Sequence, residues 1–485
     1  MPHSAETTPI IPGFYPDPSV CRVGDTFYLV NSSFEYFPGV PVFESDDLVH
    51  WAQIGNAFDR ESQLPPSDGT ASSGIFAPTL RYHDDQFWLI TTILGSGVPE
   101  QVILRSASAH GPWSEPVTTT GAVGIDPDLA WDGDDCYLTW TSFAGPIPGI
   151  NQARIDPTTA QLLESPRSLW SGTGLAAPEG PHLYQRGGWW YLLIAEGGTE
   201  RGHCVSVARS RRPDGPFEGA PANPIFSHRS TMHPVQNTGH ADLVETGDGS
   251  WAMVYLGVRP RGSSPGFHVN GRETFLASVD WVDDWPVVAP YRGETEAFDT
   301  AFVDEFAGDT LEPRWISPGV PAAHFTTPVA SGGVLVRPLG GGLGLLAVRC
   351  RDDQWTAVVV VDTTAGTGRV VVRIDVQHWC GLEVDDDEIR AVQTVGGITT
   401  VLASRAATGA TTRVFVRAVD GDSGNPFSRT GPDVLEFGID GEPALASIDG
   451  RYLSTEVAGG FTGRVIGVQA TAGSFGLLRF GYGPL

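Results

Sequence analysis

Asp17-Pro18-Ser19-Val20 leads through the polar turn Val23-Gly24-Asp25 into Phe27-Tyr28-Leu29, and this order of apolar strand, turn and aromatic-rich strand returns four more times. The later copies are Ala77-Pro78-Thr79-Leu80 with Phe87-Trp88-Leu89, and Asp126-Pro127-Asp128-Leu129 with Cys136-Tyr137-Leu138. They continue as Glu179-Gly180-Pro181-His182-Leu183 with Trp190-Tyr191-Leu192, and His240-Ala241-Asp242-Leu243 with Trp251-Ala252-Met253. Turns such as Asp132-Gly133-Asp134 and Thr246-Gly247-Asp248 separate the halves, so each copy reads as a β-hairpin. The column at the shared proline holds Asp17, Ala77, Asp126, the Glu179-Gly180 pair and His240. A radial arrangement of the copies points these side chains at one another, and acids gathered at one centre make a candidate active site.

The copies are spaced by 60, 49, 54 and 60 residues, near the ~40–50 of a four-stranded propeller blade. Each hairpin then supplies the inner strands of a blade. Outer strands are expected in the aromatic-ended pieces that follow: Phe43 to Trp51, Arg105 to Trp113, and Ala208-Arg209-Ser210 on to Gly215-Pro216-Phe217. Five repeats predict an all-β fold, a five-bladed β-propeller over residues 1–290. After a linker at 291–301 the repeat stops, but alternating strands continue: Val334 to Val336, Ala357 to Val361, Arg369 to Ile374, Thr400 to Leu402 and Arg413 to Val416. Short strands between Gly, Asp and Thr turns predict a C-terminal β-sandwich over 302–485.

Composition agrees. The 485 residues carry 60 glycines and 38 prolines spread along the chain, which fits many turns, and no long helical periodicity is present. The net charge is −27 and there is no lysine, which argues against nucleic acid, whose phosphates need Lys and Arg clusters. The charge reads most simply as solubility. No segment is long enough to cross a bilayer, so no membrane partner is expected. The opening Met1-Pro2-His3-Ser4-Ala5-Glu6 has no basic stretch followed by an apolar one, which predicts a cytoplasmic protein. Cysteines 21, 136, 204, 350 and 380 show neither metal-ligand nor disulfide spacing and read as small core residues.

Three central carboxylates suit glycoside hydrolysis with inversion. That reaction needs one carboxylic acid to protonate the leaving oxygen and one carboxylate across the sugar to activate water, about 6.5–9.5 Å apart. A third carboxylate near the acid raises its pKa by like charge. Glu179 is the best acid, since Leu175-Ala176-Ala177-Pro178 and Gly180-Pro181 surround it with an uncharged, stiff backbone. Asp17 and Asp126 remain for base and modulator, and residue chemistry alone leaves their order open.

The run Ile10-Ile11-Pro12-Gly13-Phe14-Tyr15-Pro16-Asp17-Pro18-Ser19 resembles the opening of glycoside hydrolase family 43, in its β-xylosidase and α-L-arabinofuranosidase branch. The likeness extends through Ser32 to Pro41, Phe76-Ala77-Pro78, Ile125-Asp126-Pro127, Glu179 to Tyr184, Gly239 to Asp242 and Gly271 to Leu276, covering all five repeats. It implies a five-bladed propeller and an inverting enzyme, with Asp17 as general base, Asp126 as modulator of the acid and Glu179 as general acid. Arg272 matches a sugar-binding arginine, whose guanidinium can donate to two hydroxyls. His240 matches a residue at the pocket base that in some members lies near a calcium ion bound through waters; no cofactor is required by the mechanism. Phe34 and Phe76 match the aromatic walls of the sugar site, and Phe76 departs from the tryptophan of some xylosidases. Glu196, in Ala195-Glu196-Gly197-Gly198, is placed on a loop at the pocket rim.

Phe302 to Phe306, Leu311 to Trp315 and Leu453 to Gly463 resemble the sandwich that follows the propeller in this branch. There a sandwich loop closes one side of the pocket, which implies short substrates cut from the non-reducing end. The expected activity is release of xylose from short β-1,4-xylo-oligosaccharides, with arabinofuranose from α-L-arabinofuranosides as a second activity or the main one. A lectin with the same fold is the rival outside catalysis, and a retaining, fructoside-cleaving propeller the rival within it. The broad surfaces of two joined domains also suit a homo-oligomer.

Overall fold

The computed structural model describes residues 7–95, 98–143, 148–330, 332–421 and 429–485; the opening Met1 to Glu6 lies outside them. Each quoted hairpin forms the first two strands of a small antiparallel sheet. Sheet I runs Ser19–Val23, Thr26–Val30, Gly39–Ser45 and Ala52–Phe58, neighbour on neighbour in chain order. Sheets II to V open with the pairs Thr79–His83 and Gln86–Leu94, Ile125–Asp132 and Asp135–Ser142, Glu179–Arg186 and Trp189–Glu196, and Gln236–Glu245 and Trp251–Val258.

The opening strands meet at a shared centre. Asp242 of sheet V accepts from the Val20 backbone N–H of sheet I at 3.0 Å, and Asp128 of sheet III from Leu183 N–H of sheet IV at 2.8 Å. Side chains at the centre thus replace the backbone ladder that separate sheets cannot share. Apolar strands buried on both faces fill the space between sheets: Tyr191, Leu193, Val205 and Val207 of sheet IV pack with Met253, Tyr255 and Phe275 of sheet V.

The aromatic-ended pieces differ from expectation. Phe43, Glu44 and Ser45 end the third strand of sheet I, but Asp46 to Trp51 form a turn, with Trp51 Nε1 donating to the Leu48 carbonyl at 2.8 Å. Trp113 and Phe217 likewise follow turns after the third strands, Glu100–Ser106 and Cys204–Ser210. These aromatics pack against sheet edges after the chain has turned, so their pattern marks the end of a strand.

No strand lies between 291 and 301. Beyond it come an eight-stranded and a six-stranded sheet sharing one apolar core that includes Val359, Val361, Val370, Val372, Val468 and Phe475. Trp355–Asp362 alternates buried and partly exposed residue by residue, the period of a strand with one face on a core. The five cysteines are free and buried. Among the described residues no helix is long and apolar enough to cross a membrane.

Candidate active site

The central column is built on unusual backbone. Asp17, Asp126, Gly180 and His240 all take left-handed φ, at 55°, 55°, 57° and 42°. In sheets III, IV and V the pairing slips at this point, between Ile125 and Asp128, Glu179 and His182, and Gly239 and Asp242. Such a bulge turns the strand and re-aims one side chain. Here it sends Asp126 and His240 to the centre. Left-handed backbone at a non-glycine residue costs about 1–3 kcal/mol, which the surrounding structure must hold. In sheet IV glycine takes the left-handed place and the acid sits one residue earlier, so Glu179 stands apart from the other two. Gly180 is needed for space as well, since a Cβ there would lie 2.7 Å from the His240 ring.

Asp17 is 5 % exposed and surrounded by donors. Ser32 Oγ donates to its Oδ2 at 2.5 Å, Arg272 Nη1 to Oδ1 at 3.2 Å, and His240 Nδ1 lies 3.3 Å from Oδ1. Burial alone would raise its pKa, but Arg272, His240 and Ser32 together outweigh it and hold the carboxyl well below the usual carboxylate range. Glu179 is the opposite case. Burial first, then repulsion by Asp126, pushes it up to about 7, against the pull of His240 and Arg272. Asp126 is also raised, by burial and by Asp17, although its Oδ2 accepts the Gly180 N–H at 3.1 Å. His240 resists burial through its hydrogen bond to Asp17 and the charges of all three acids, and rises to about 9. One cluster therefore holds a carboxyl kept ionised, Asp17, beside one that retains its proton to near neutral pH, Glu179.

Arg272 donates to Asp17 and to Thr199 Oγ1, the latter at 3.1 Å. Phe34 and Phe76 meet edge-to-face with centroids 5.4 Å apart. A third ring joins them from the connection before the C-terminal strand Val465–Gly473: Phe461 stacks on Phe34 at 5.7 Å, with the Arg272 guanidinium 5.2 Å from its centroid. Ser72 holds that ring in place, because its Oγ accepts Phe461 N–H at 2.8 Å while its own N–H donates to buried Glu35 at 2.9 Å.

Glu196 is the exception. It ends the strand Trp189–Glu196, is fully buried, and both carboxylate oxygens accept from Thr173, from its N–H and its Oγ1, each at 2.8 Å. It is a tie between two chain segments and not a residue of the pocket rim. Sequence singles out neither Ser32, Thr199 nor His203, whose Nε2 lies 3.7 Å from Glu179 Oε1, and gives Phe461 no role of its own. Ser32 and Phe461 fall inside motifs quoted above, whereas His203 lies just before a third strand and has no counterpart in the column.

The surroundings of His240 offer no set of direct side-chain ligands for a metal ion. Its Nδ1 is engaged by Asp17 and its ring is held as a cation beside Arg272, and among the described residues no three His, Cys, Asp or Glu side chains are grouped to hold a metal.

Below this tier lies a second one. Two residues beyond the column, Ser19, Asp128, His182 and Asp242 also face the centre, and Arg81 reaches in from sheet II. Its guanidinium is 2.8 Å from Asp128, 2.9 Å from Asp242 and 3.0 Å from His182 Nδ1, and Tyr184 donates to Asp242.

A sequence profile of glycosyl hydrolases family 43 matches residues 6–286, sheets I to V up to the start of the last strand, Trp285–Pro290. The chain belongs to glycosyl hydrolases family 43. Within the family it is 48 % identical over 303 residues to a xylosidase/arabinosidase of Butyrivibrio fibrisolvens, covering 59 % of this chain and 56 % of that one. It is 46 % identical over 285 residues to the non-reducing end alpha-L-arabinofuranosidase BoGH43B of Bacteroides ovatus, covering 58 % and 53 %. The chain thus spans a little over half the length of these curated relatives. A solved family 43 structure, the GH43B of a Bacteroides ovatus xyloglucan locus, superposes with a TM-score of 0.88 at 32 % identity, covering 98 % of this chain and 99 % of that one.

Proposed function

We propose that this chain is an inverting, exo-acting glycoside hydrolase that releases xylose from the non-reducing end of short β-1,4-xylo-oligosaccharides, with arabinofuranose from α-L-arabinofuranosides as a second product. Residues 1–290 form a five-bladed β-propeller, 291–301 a linker and 302–485 a β-sandwich. The reading rests on one observation above all, the opposite surroundings of two gathered acids: Asp17 is ringed by the donors Ser32, Arg272 and His240, whereas Glu179 is buried beside Asp126, so that the first is held ionised and the second is pushed up.

Asp17, kept ionised by Arg272 and His240, takes a proton from water as its oxygen attacks the anomeric carbon. Glu179, kept protonated by burial and by Asp126, gives its proton to the glycosidic oxygen as that bond breaks. Asp126 acts on Glu179 by charge and by fixing the Gly180 N–H. After one turnover Asp17 holds the proton taken from water and Glu179 is the carboxylate; exchange with solvent restores both. Arg272 donates to sugar hydroxyls, and Phe34, Phe76 and Phe461 wall the pocket, which favours a single terminal sugar over a long chain. No cofactor enters these steps.

NMR of the first-formed anomer during hydrolysis of an aryl β-xyloside tests this, with inversion expected. Retention of configuration, or hydrolysis of phenyl β-xyloside that persists unchanged in Glu179→Ala, would overturn it. The B. fibrisolvens relative carries both activities in its name and the B. ovatus one only the arabinofuranosidase, so side-by-side rates on aryl β-xyloside and aryl α-L-arabinofuranoside set the preference.

A further inference from the structure

His203 immediately precedes the third strand of sheet IV, Cys204–Ser210, and is 1 % exposed. Its Nδ1 lies 3.0 Å from the carbonyl of Asn237. A carbonyl can only accept, so Nδ1 carries the hydrogen, and in a neutral ring Nε2 is then a bare lone pair. That Nε2 is buried with no hydrogen-bond partner, and the polar atom it faces is Glu179 Oε1 at 3.7 Å. The ring cannot turn away, because it lies flat on Gly239: a Cβ there would fall 2.4 to 2.5 Å from three of its atoms. Burial, with the cations His240 and Arg272 nearby, pushes His203 down to about 4, so it stays neutral across the working range. A buried acceptor without a donor is costly, of order 1–3 kcal/mol. A protonated carboxyl is the donor this one lacks.

We infer that His203 is a positioning residue for the general acid: its Nε2 accepts a hydrogen bond from protonated Glu179, favouring the acid form and fixing the carboxyl before substrate arrives. This rests on the reading of Glu179 as the acid. The gap of 3.7 Å closes by a small rotation of the carboxyl, as such bonds often tighten in the working complex. When the glycosidic oxygen comes within reach, the same O–H turns to it. The Glu179 O–H bond breaks, the leaving-group O–H bond forms and the carboxylate remains; His203 neither gains nor loses a proton. The other groups acting on Glu179 are Asp126 and Asp17, which raise it, and His240 and Arg272, which lower it. None of them accepts its proton by hydrogen bond.

The test is the pH profile of kcat/KM for His203→Phe on two aryl β-xylosides, one with phenol and one with a strongly acidic nitrophenol as leaving group. The basic limb should move down by about one pH unit, with roughly tenfold loss at neutral pH on the phenyl substrate and little on the nitrophenyl one, which needs no acid. His203→Gln, whose amide oxygen can accept, should recover part of the loss. An unmoved basic limb with equal losses on both substrates would make the role merely structural and overturn the inference. Glu179→Ala in parallel separates the two claims: full activity on the phenyl xyloside there removes the acid itself. Nitrogen NMR of histidine-labelled wild-type protein gives a readout without substitution. The inference requires His203 neutral with its proton on Nδ1 and an Nε2 resonance that follows the titration of Glu179, and a proton on Nε2 would refute it.

Discussion

The two tiers at the centre of the five sheets are made from the same strands, two residues apart, and both bury acids beside cations. In the lower tier Asp128 and Asp242 share the Arg81 guanidinium as ion pairs, and each also accepts from a backbone N–H, Asp242 from Tyr184 as well. Asp242 is accordingly held well below the carboxylate range, since Arg81 and His182 outweigh burial. The upper tier has three carboxyl groups and donors arranged mainly around one of them. Asp17 receives Ser32, Arg272 and His240, while Asp126 and Glu179 compete for what charge remains. The difference teaches that a buried carboxyl is structural when a cation settles its charge and chemical when its proton is still undecided.

That contrast can be broken at several points. Asp17→Asn should lower kcat by roughly 10⁴-fold on aryl β-xyloside, the upper end for a positioned base, with folding retained by circular dichroism. Arg81→Met attacks the lower tier and should do the reverse. It leaves two buried carboxylates unpaired, for a loss of about 3–5 kcal/mol in denaturant unfolding, while the active fraction keeps its pH profile. Equal effects of the two substitutions on activity and stability would erase the distinction between tiers.

Glu179→Gln sharpens it through linkage. The folded protein holds the Glu179 proton up to about 7 and the unfolded chain releases it near 4.5, so the native state binds more protons between those values. Stability contributed by this group is present below pH 4.5 and lost as pH rises through 7. The amide cannot ionise, so Glu179→Gln should raise Tm by a few degrees at about pH 8 and change it little at about pH 4. A Tm gain that is the same at both values would contradict the assignment. The smallest effect is expected for Phe461→Ala, roughly threefold to tenfold in kcat/KM, from a ring contact worth about 0.5–1.5 kcal/mol.

Much of the upper tier was legible because a repeat exposes its own departures. Asp17, Asp126, Glu179 and His240 stand out once five hairpins are laid in register. What stayed hidden depends on contacts between distant segments. Arg81 sits four residues past Ala77, where its strand shows nothing but an exposed-looking cation, and only the ring of sheets brings it to Asp128 and Asp242. His203 has no equivalent in the column, and its significance lies in a missing partner, which sequence does not display. Glu196 reads as a loop residue because Gly197 and Gly198 follow it, yet Thr173, from the segment before Glu179, encloses its carboxylate. The aromatic after each third strand misled in a related way: Trp51 packs just as a strand residue would, but from a turn.

The seating of Phe461 has a consequence for the order in which the protein is made. Its backbone N–H is held by Ser72, and its ring completes a wall begun by Phe34. During synthesis the three carboxyl groups have all been added by Glu179, and Arg272 follows, yet Phe461 is added 189 residues after Arg272. A nascent chain that has reached Arg272 therefore carries all three acids but still lacks the ring that stacks on Phe34.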